Sequence, residues 1–257
     1  MKRETLKLGG VEIELHEDGA GAPLLLLHSG QGFVPAQPYV GMLARKRRLL
    51  APSHPGFGRS SLPEWLDTPD DVAHIYLELM DRLGLERVDL VGCSIGGWIA
   101  AEMATKAPER FKKVVLVAPV GVKTGPSDKL DIPDIFAIPQ ERVTQMLFHD
   151  PAKFQFDPSK LSDEELTVIA RNRETLTMLV WEPWMHNPKL RHRLHRLAMP
   201  TLFLRGESDG LVSADYIERY ARLVPKARIE TLAKAAHALQ VEQPETFAAK
   251  VLGFLDA

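Results

Sequence analysis

The stretch from Val88 to Ala104 constrains this chain more than any other. Val88-Asp-Leu-Val-Gly-Cys93 is a short apolar run that ends at a glycine-flanked serine. Ile95-Gly-Gly-Trp-Ile-Ala-Ala-Glu-Met-Ala104 then begins an apolar, alanine-rich helical pattern at once. A strand, a sharp turn and a helix therefore follow one another with almost no loop. A serine in such a turn sits on strained backbone, which lifts its hydroxyl clear of the sheet. Glycine is required at Gly92 and Gly96, because a side chain at either place collides with the neighbouring strand or helix. The Gly-x-Ser-x-Gly spacing is short enough to arise by chance, and the strand before it and helix after it give it meaning.

That arrangement resembles the nucleophile elbow of the α/β-hydrolase family. The resemblance implies an α/β fold with a mainly parallel central sheet flanked by helices, an inserted helical cap, and Ser94 as nucleophile. The rhythm of the chain agrees. Val11 to Glu17 alternates apolar and polar, as a half-buried strand does, and Leu24 to Leu27 is a continuous apolar run suited to a strand covered on both faces. Arg48 to Pro52 and Lys113 to Ala118 are further strands, and Thr68-Pro-Asp-Asp71 opens a helix that Gly84 stops. Strands and helices in alternation predict βαβ units, with active groups at the carboxyl ends of the strands.

From Pro119 to about Arg193 the rhythm changes. Pro126, Pro133, Pro139, Pro151 and Pro158 break it into short pieces. Helical patterns resume at Gln140 to His149 and at Ser162 to Leu179, the second opened by the capping box Ser162-Asp-Glu-Glu165. By resemblance, 120–193 is a helical cap inserted in a core of 1–119 and 194–257. Phe136, Met146, Phe148, Met178, Trp181, Trp184 and Met185 are candidates for its apolar underside. Pro200 to Gly206 and Ala227 to Leu232 read as the last strands, Tyr216 to Val224 as a helix, and Pro244 begins a closing amphipathic helix.

With 32 basic and 34 acidic residues the net charge is −2, which gives no electrostatic reason to expect nucleic acid or an anionic membrane as partner. No stretch is long and apolar enough to span a bilayer, and no signal peptide is legible. Cys93 is the single cysteine, so no internal disulfide forms, and a reducing, cytoplasmic location is the default expectation. Next to Ser94 on the strand side, Cys93 is expected to point into packing as a small hydrophobe. A monomer or homodimer is expected.

A serine hydroxyl needs a base to take its proton, usually a histidine held by a carboxylate. The family order is serine, acid, histidine. His237 follows the last strand where the family keeps its base, whereas His186, His192 and His195 fall in or near the cap. Asp209, in Gly206-Glu-Ser-Asp-Gly-Leu-Val212, matches the family's acid position, with Glu207 and Asp215 as rivals. His28-Ser-Gly-Gln-Gly-Phe33 resembles the family's oxyanion loop, with Ser29 where glycine is common; by resemblance the oxyanion donors are the N–H groups of Gly30 and Ile95. His28 itself reads as a loop anchor.

No metal or cofactor is implied, and the expected partner is a small-molecule acyl substrate. A small carboxylic ester or thioester is the first expectation. The alternative is a C–C bond hydrolase of the vinylogous diketone type, whose relatives carry a cap-helix arginine; Arg171 and Arg173 are the counterparts. Those relatives also tend to have tryptophan after the catalytic histidine, where this chain has Ala238, while Gln240 fits the C–C reading. Ser29, Arg171, Arg173, Trp181 and Trp184 are the substrate-binding expectations. A small-ligand receptor on the same fold is the non-enzymatic alternative.

Overall fold

Leu24, Leu25, Leu26 and Leu27 are all buried. Successive side chains of a strand point to opposite faces, so a run apolar at every position demands cover on both. Leu25 and Leu27 enter one apolar cluster, and Leu24 and Leu26 another on the opposite face. A computed structural model describes residues 1–155 and 157–257. Its strands are β1 (Lys2–Leu8), β2 (Val11–Asp18), β3 (Pro23–Leu27), β4 (Arg48–Pro52), β5 (Val88–Cys93), β6 (Phe111–Val117), β7 (Thr201–Gly206) and β8 (Ala227–Leu232). They form an eight-stranded sheet in the order β1-β2-β4-β3-β5-β6-β7-β8. The β1–β2 and β2–β4 pairs are antiparallel and the rest parallel.

The helices are α1 (Pro38–Ala44), α2 (Pro69–Arg82), α3 (Ile95–Lys106), α4 (Gln140–Leu147), α5 (Asp163–Val180), α6 (Ala214–Ala221), α7 (Leu239–Glu242) and α8 (Pro244–Asp256). On one face α1 and α8 pack through Tyr39, Leu43, Phe247 and Val251. On the other, α2, α3 and α6 pack through Val72, Tyr76, Ile99 and Tyr216. Thr68 caps α2 reciprocally: its hydroxyl accepts from the Asp71 N–H, and the Asp71 carboxylate accepts from the Thr68 N–H.

Three elements, β1, α1 and the single turn α7, escape the sequence patterns. β1 is an edge strand whose residues are mostly exposed, so its alternation is faint. The short α1 has no side-chain cap and begins at Pro38.

Between β6 and β7 the chain holds α4 and α5. α5 has the reciprocal Ser162–Glu165 cap that its sequence announces. α4 stops at Leu147, before the expected His149, because Phe148 turns extended and its ring stacks on Phe154 at 4.5 Å. α5 presses onto the turn at 53–60, where Asn172 Oδ1 accepts from the Gly58 N–H at 3.0 Å and Thr175 Oγ1 donates to the Gly56 carbonyl at 3.1 Å.

Candidate active site

The elbow joins β5 to α3 as its glycines require. Ser94 has φ 56°, a strained value for a residue with a side chain. A Cβ on Gly92 would stand 2.2 Å from the Gly96 carbonyl oxygen, and one on Gly96 would stand 2.4 Å from that of Leu27. The serine is pinned on both sides, its N–H donating to the Val117 carbonyl and its own carbonyl accepting from Gly97 and Trp98.

Ser94 Oγ lies 2.9 Å from His237 Nε2, and His237 Nδ1 lies 3.1 Å from Asp209 Oδ2. Asp209 follows β7 and His237 follows β8, so both reach Ser94 from the carboxyl ends of parallel strands. The other Asp209 oxygen accepts the N–H groups of Leu211 at 2.9 Å and Val212 at 2.8 Å, which fixes the carboxylate's orientation. The Asp209 side chain is fully buried and that of His237 nearly so. The rivals lie apart: Glu207 accepts from the Lys234 N–H, Asp215 pairs with Arg219 on α6, and His186 Nδ1 sits against the Trp184 carbonyl.

The loop after β3 is held by two buried histidines. The Tyr76 hydroxyl donates to His54 Nδ1, 2.6 Å away, and His54 Nε2–H donates to the His28 carbonyl. The His54 N–H donates to His28 Nε2, which leaves His28 Nδ1–H for the Ser29 carbonyl at 2.7 Å. Burial pushes His28 down to about 4 and His54 well below its ordinary value, so both rings stay neutral in this relay. This is an anchoring arrangement. The N–H groups of Gly30 and Ile95 make no hydrogen bond among the described residues, and both residues line the cavity in front of Ser94.

That cavity holds about 100 Å³. Ser29, Gln31 and Gln240 supply polar lining beside Ser94 and His237; Val120, Ile135, Leu147, Leu176, Met185 and Leu211 make the rest largely apolar. Gln240 Oε1 is buried without a partner among the described residues. Among the described residues no three His, Cys, Asp or Glu side chains gather where they could hold a metal ion.

Several substrate-binding expectations need correction. Arg171 does not line the cavity: its guanidinium donates to the carbonyls of Gly58 and Ser60, the latter at 2.6 Å. Arg173 is exposed, donates to Gln140 Oε1 at 2.7 Å and lies over the Phe136 ring. Trp181 is 56% exposed, and Trp184 donates its indole N–H to the Ile132 carbonyl. The cavity wall is also offset from the expected apolar underside: Ile135, Leu147 and Leu176 line it, one or two residues from Phe136, Phe148 and Met178. Ser29 and Met185 do line the cavity. Cys93 is buried with the packing residues as expected, yet it also reaches the cavity wall; burial pushes its thiol up to about 12, so it stays protonated.

A mainly parallel sheet that brings serine, histidine and aspartate together at its carboxyl edge is the architecture of an α/β hydrolase. The sequence model of the Alpha/beta hydrolase family matches residues 24–250, and the chain belongs to that family. It is 30% identical over 269 aligned residues to a 2-hydroxy-6-oxo-2,4-heptadienoate hydrolase of Pseudomonas putida, covering 97% of this chain and 94% of that one. Among solved structures, a bromoperoxidase from Bacillus anthracis superposes with TM-score 0.81 at 22% identity, over 100% of both chains. A meta-cleavage product hydrolase from Pseudomonas fluorescens superposes with TM-score 0.80 at 21% identity, over 98% of this chain and 97% of that one.

Proposed function

We propose that this chain is a serine hydrolase in which Ser94 attacks a carbonyl carbon while His237 takes the hydroxyl proton. The observation that carries this reading is the chain of contacts from Ser94 Oγ through the imidazole to Asp209, at 2.9 and 3.1 Å. Asp209 holds the tautomer and stabilises the imidazolium. The N–H groups of Gly30 and Ile95 hold the developing oxyanion, a donor pair in which each member is worth about a hundredfold or more in rate. His237 then returns the proton to the leaving group, and a water activated by the same imidazole releases the acyl group from Ser94 as a carboxylic acid. Residues 120–193 act as the cap that closes the cavity and selects the acyl group.

The bond we favour is the C–C bond of a vinylogous diketone, with the electron pair leaving on carbon and the His237 proton delivered there. Similarity along nearly the whole chain to a 2-hydroxy-6-oxo-2,4-heptadienoate hydrolase supports it. A second reading, cleavage of a small carboxylic ester or thioester, is favoured by the apolar lining, in which no arginine or lysine takes part among the described residues.

Cleavage of a dienoate dione, compared with p-nitrophenyl esters of graded acyl length, separates the two readings. The expected result is higher kcat/KM on the dione, with Ser94→Ala lowering kcat on every substrate about 10⁴-fold or more. Turnover of esters alone reassigns the bond. Activity that survives Ser94→Ala overturns the serine mechanism.

A further inference from the structure

The turn that ends α4, residues 146–149, bonds to both neighbours of Asp209 and to Ala238 after His237, and it reaches Ala236 before His237 through the side chain of Glu242. Before Asp209, Ser208 Oγ lies 2.8 Å from His149 Nδ1. After it, the Gly210 N–H donates to the Met146 carbonyl at 3.1 Å. Glycine is needed there, since a Cβ on Gly210 would stand 2.9 Å from Met146 Cα. After His237, the Ala238 N–H donates to the Leu147 carbonyl at 2.9 Å. Before it, the Ala236 N–H donates to Glu242 Oε2 at 2.6 Å, while Glu242 Oε1 accepts the His149 N–H at 2.7 Å.

Glu242 is therefore the link that joins the histidine loop to the inserted segment, with one carboxylate oxygen on each. Its place at the end of α7, a single turn that starts directly after Ala238, returns the side chain to the loop it holds. Hydrogen bonds from N–H groups to a carboxylate are stronger than neutral ones and are directional. Two such bonds on one side chain fix the distance between the His237 loop and the turn at 146–149.

We propose that Glu242 is a positioning residue for the reaction: it sets the His237 ring against Ser94 by tying its loop to the same turn that braces the Asp209 loop. The inserted segment at this end is then a brace for the acid and the base, and not only a lid over the substrate. Small displacements matter here, because a base displaced by about 1 Å costs on the order of a hundredfold in rate. This inference rests on the Ser94–His237–Asp209 reading above.

The test reads kcat per reactive serine. Wild type, Glu242→Ala and Glu242→Gln are titrated with a fluorophosphonate, and turnover of p-nitrophenyl acetate is divided by the titrated sites, so that misfolded protein drops out. Glu242→Ala is expected to lower kcat per site at least 30-fold with KM within threefold. Glu242→Gln, which keeps the length and one carbonyl acceptor, is expected to recover part of the loss. Values of kcat per site within twofold of wild type in both variants overturn the proposal, as does a loss expressed in KM alone. If Glu242→Ala does not fold, Glu242→Gln carries the test with an expected fall of about fivefold, and an unchanged value overturns it. A wild-type protein whose Ser94 does not react overturns the hydrolase reading itself, whereas a reactive wild type with unchanged variants overturns only the role of Glu242.

Discussion

The turn at 53–60 is gripped from two sides, and the two grips differ in kind. From the sheet, Glu14 on β2 takes the Ser53 hydroxyl at 2.9 Å and the Arg59 N–H at 3.2 Å, while its own N–H donates to Ser60 Oγ. From the inserted segment, Arg171, Asn172 and Thr175 on α5 reach the backbone of Gly56, Gly58 and Ser60. The sheet side uses a buried carboxylate fixed by the strand register; the inserted side uses a helix face whose phase depends on how the helix docks. The first kind of contact is organised by the core and the second by tertiary packing. The comparison accounts for why Arg171, a candidate for substrate contact by resemblance, holds the turn instead.

The largest effect in this comparison is expected on the sheet side. The His16 ring first, then the Ser53 hydroxyl and the Arg59 N–H, hold the Glu14 carboxyl down to about 2 from its ordinary 4.5. The unfolded chain thus takes up this proton before the folded one does. The contribution of Glu14 is fully present above pH 4.5 and is lost as pH falls toward 2. Glu14→Gln is expected to lower stability by about 2 kcal/mol at pH 7, and the gap to wild type should shrink between pH 4.5 and 2, as followed by denaturant unfolding. A gap independent of pH would break the assignment.

On the inserted side, Arg171→Ala removes two guanidinium bonds to carbonyls and is expected to cost about 1–2 kcal/mol. It should leave the ratio of kcat/KM between anionic and neutral substrates unchanged, because the guanidinium is engaged away from the cavity. A selective loss on anionic substrates would return Arg171 to substrate binding. The smallest effect is expected from Arg173→Ala, on an exposed side chain, at about 0.5 kcal/mol or less. The same unfolding assay checks both, and Arg173→Ala as costly as Arg171→Ala would contradict the distinction.

What was legible in the sequence follows the same division. The elbow at Ser94 is written locally, because glycines at 92 and 96 answer to backbone only a few residues or one strand away. The leucine run of β3 and the caps at Thr68 and Ser162 are local in the same sense. Asp209 and His237 were expected by resemblance to the family's order and from the strands that precede them; in the structure the imidazole stands within hydrogen-bond reach of both Ser94 and Asp209. The cavity wall was not, since Ile135, Leu147 and Leu176 differ from their neighbours only in which side of a docked segment they occupy. Arg171 bonds carbonyl oxygens and Glu242 bonds N–H groups, which every residue offers, so neither partner leaves a trace in residue identity. Their roles became visible only once distant segments were brought together.

Mass-spectrometric mapping of the fluorophosphonate adduct on the native protein, with and without His237, tests most directly whether the imidazole makes Ser94 reactive. Modification at Ser94 alone, slowed about a thousandfold or more in His237→Ala, is the predicted result. Modification of another residue, or an undiminished rate at Ser94 without the imidazole, would contradict it.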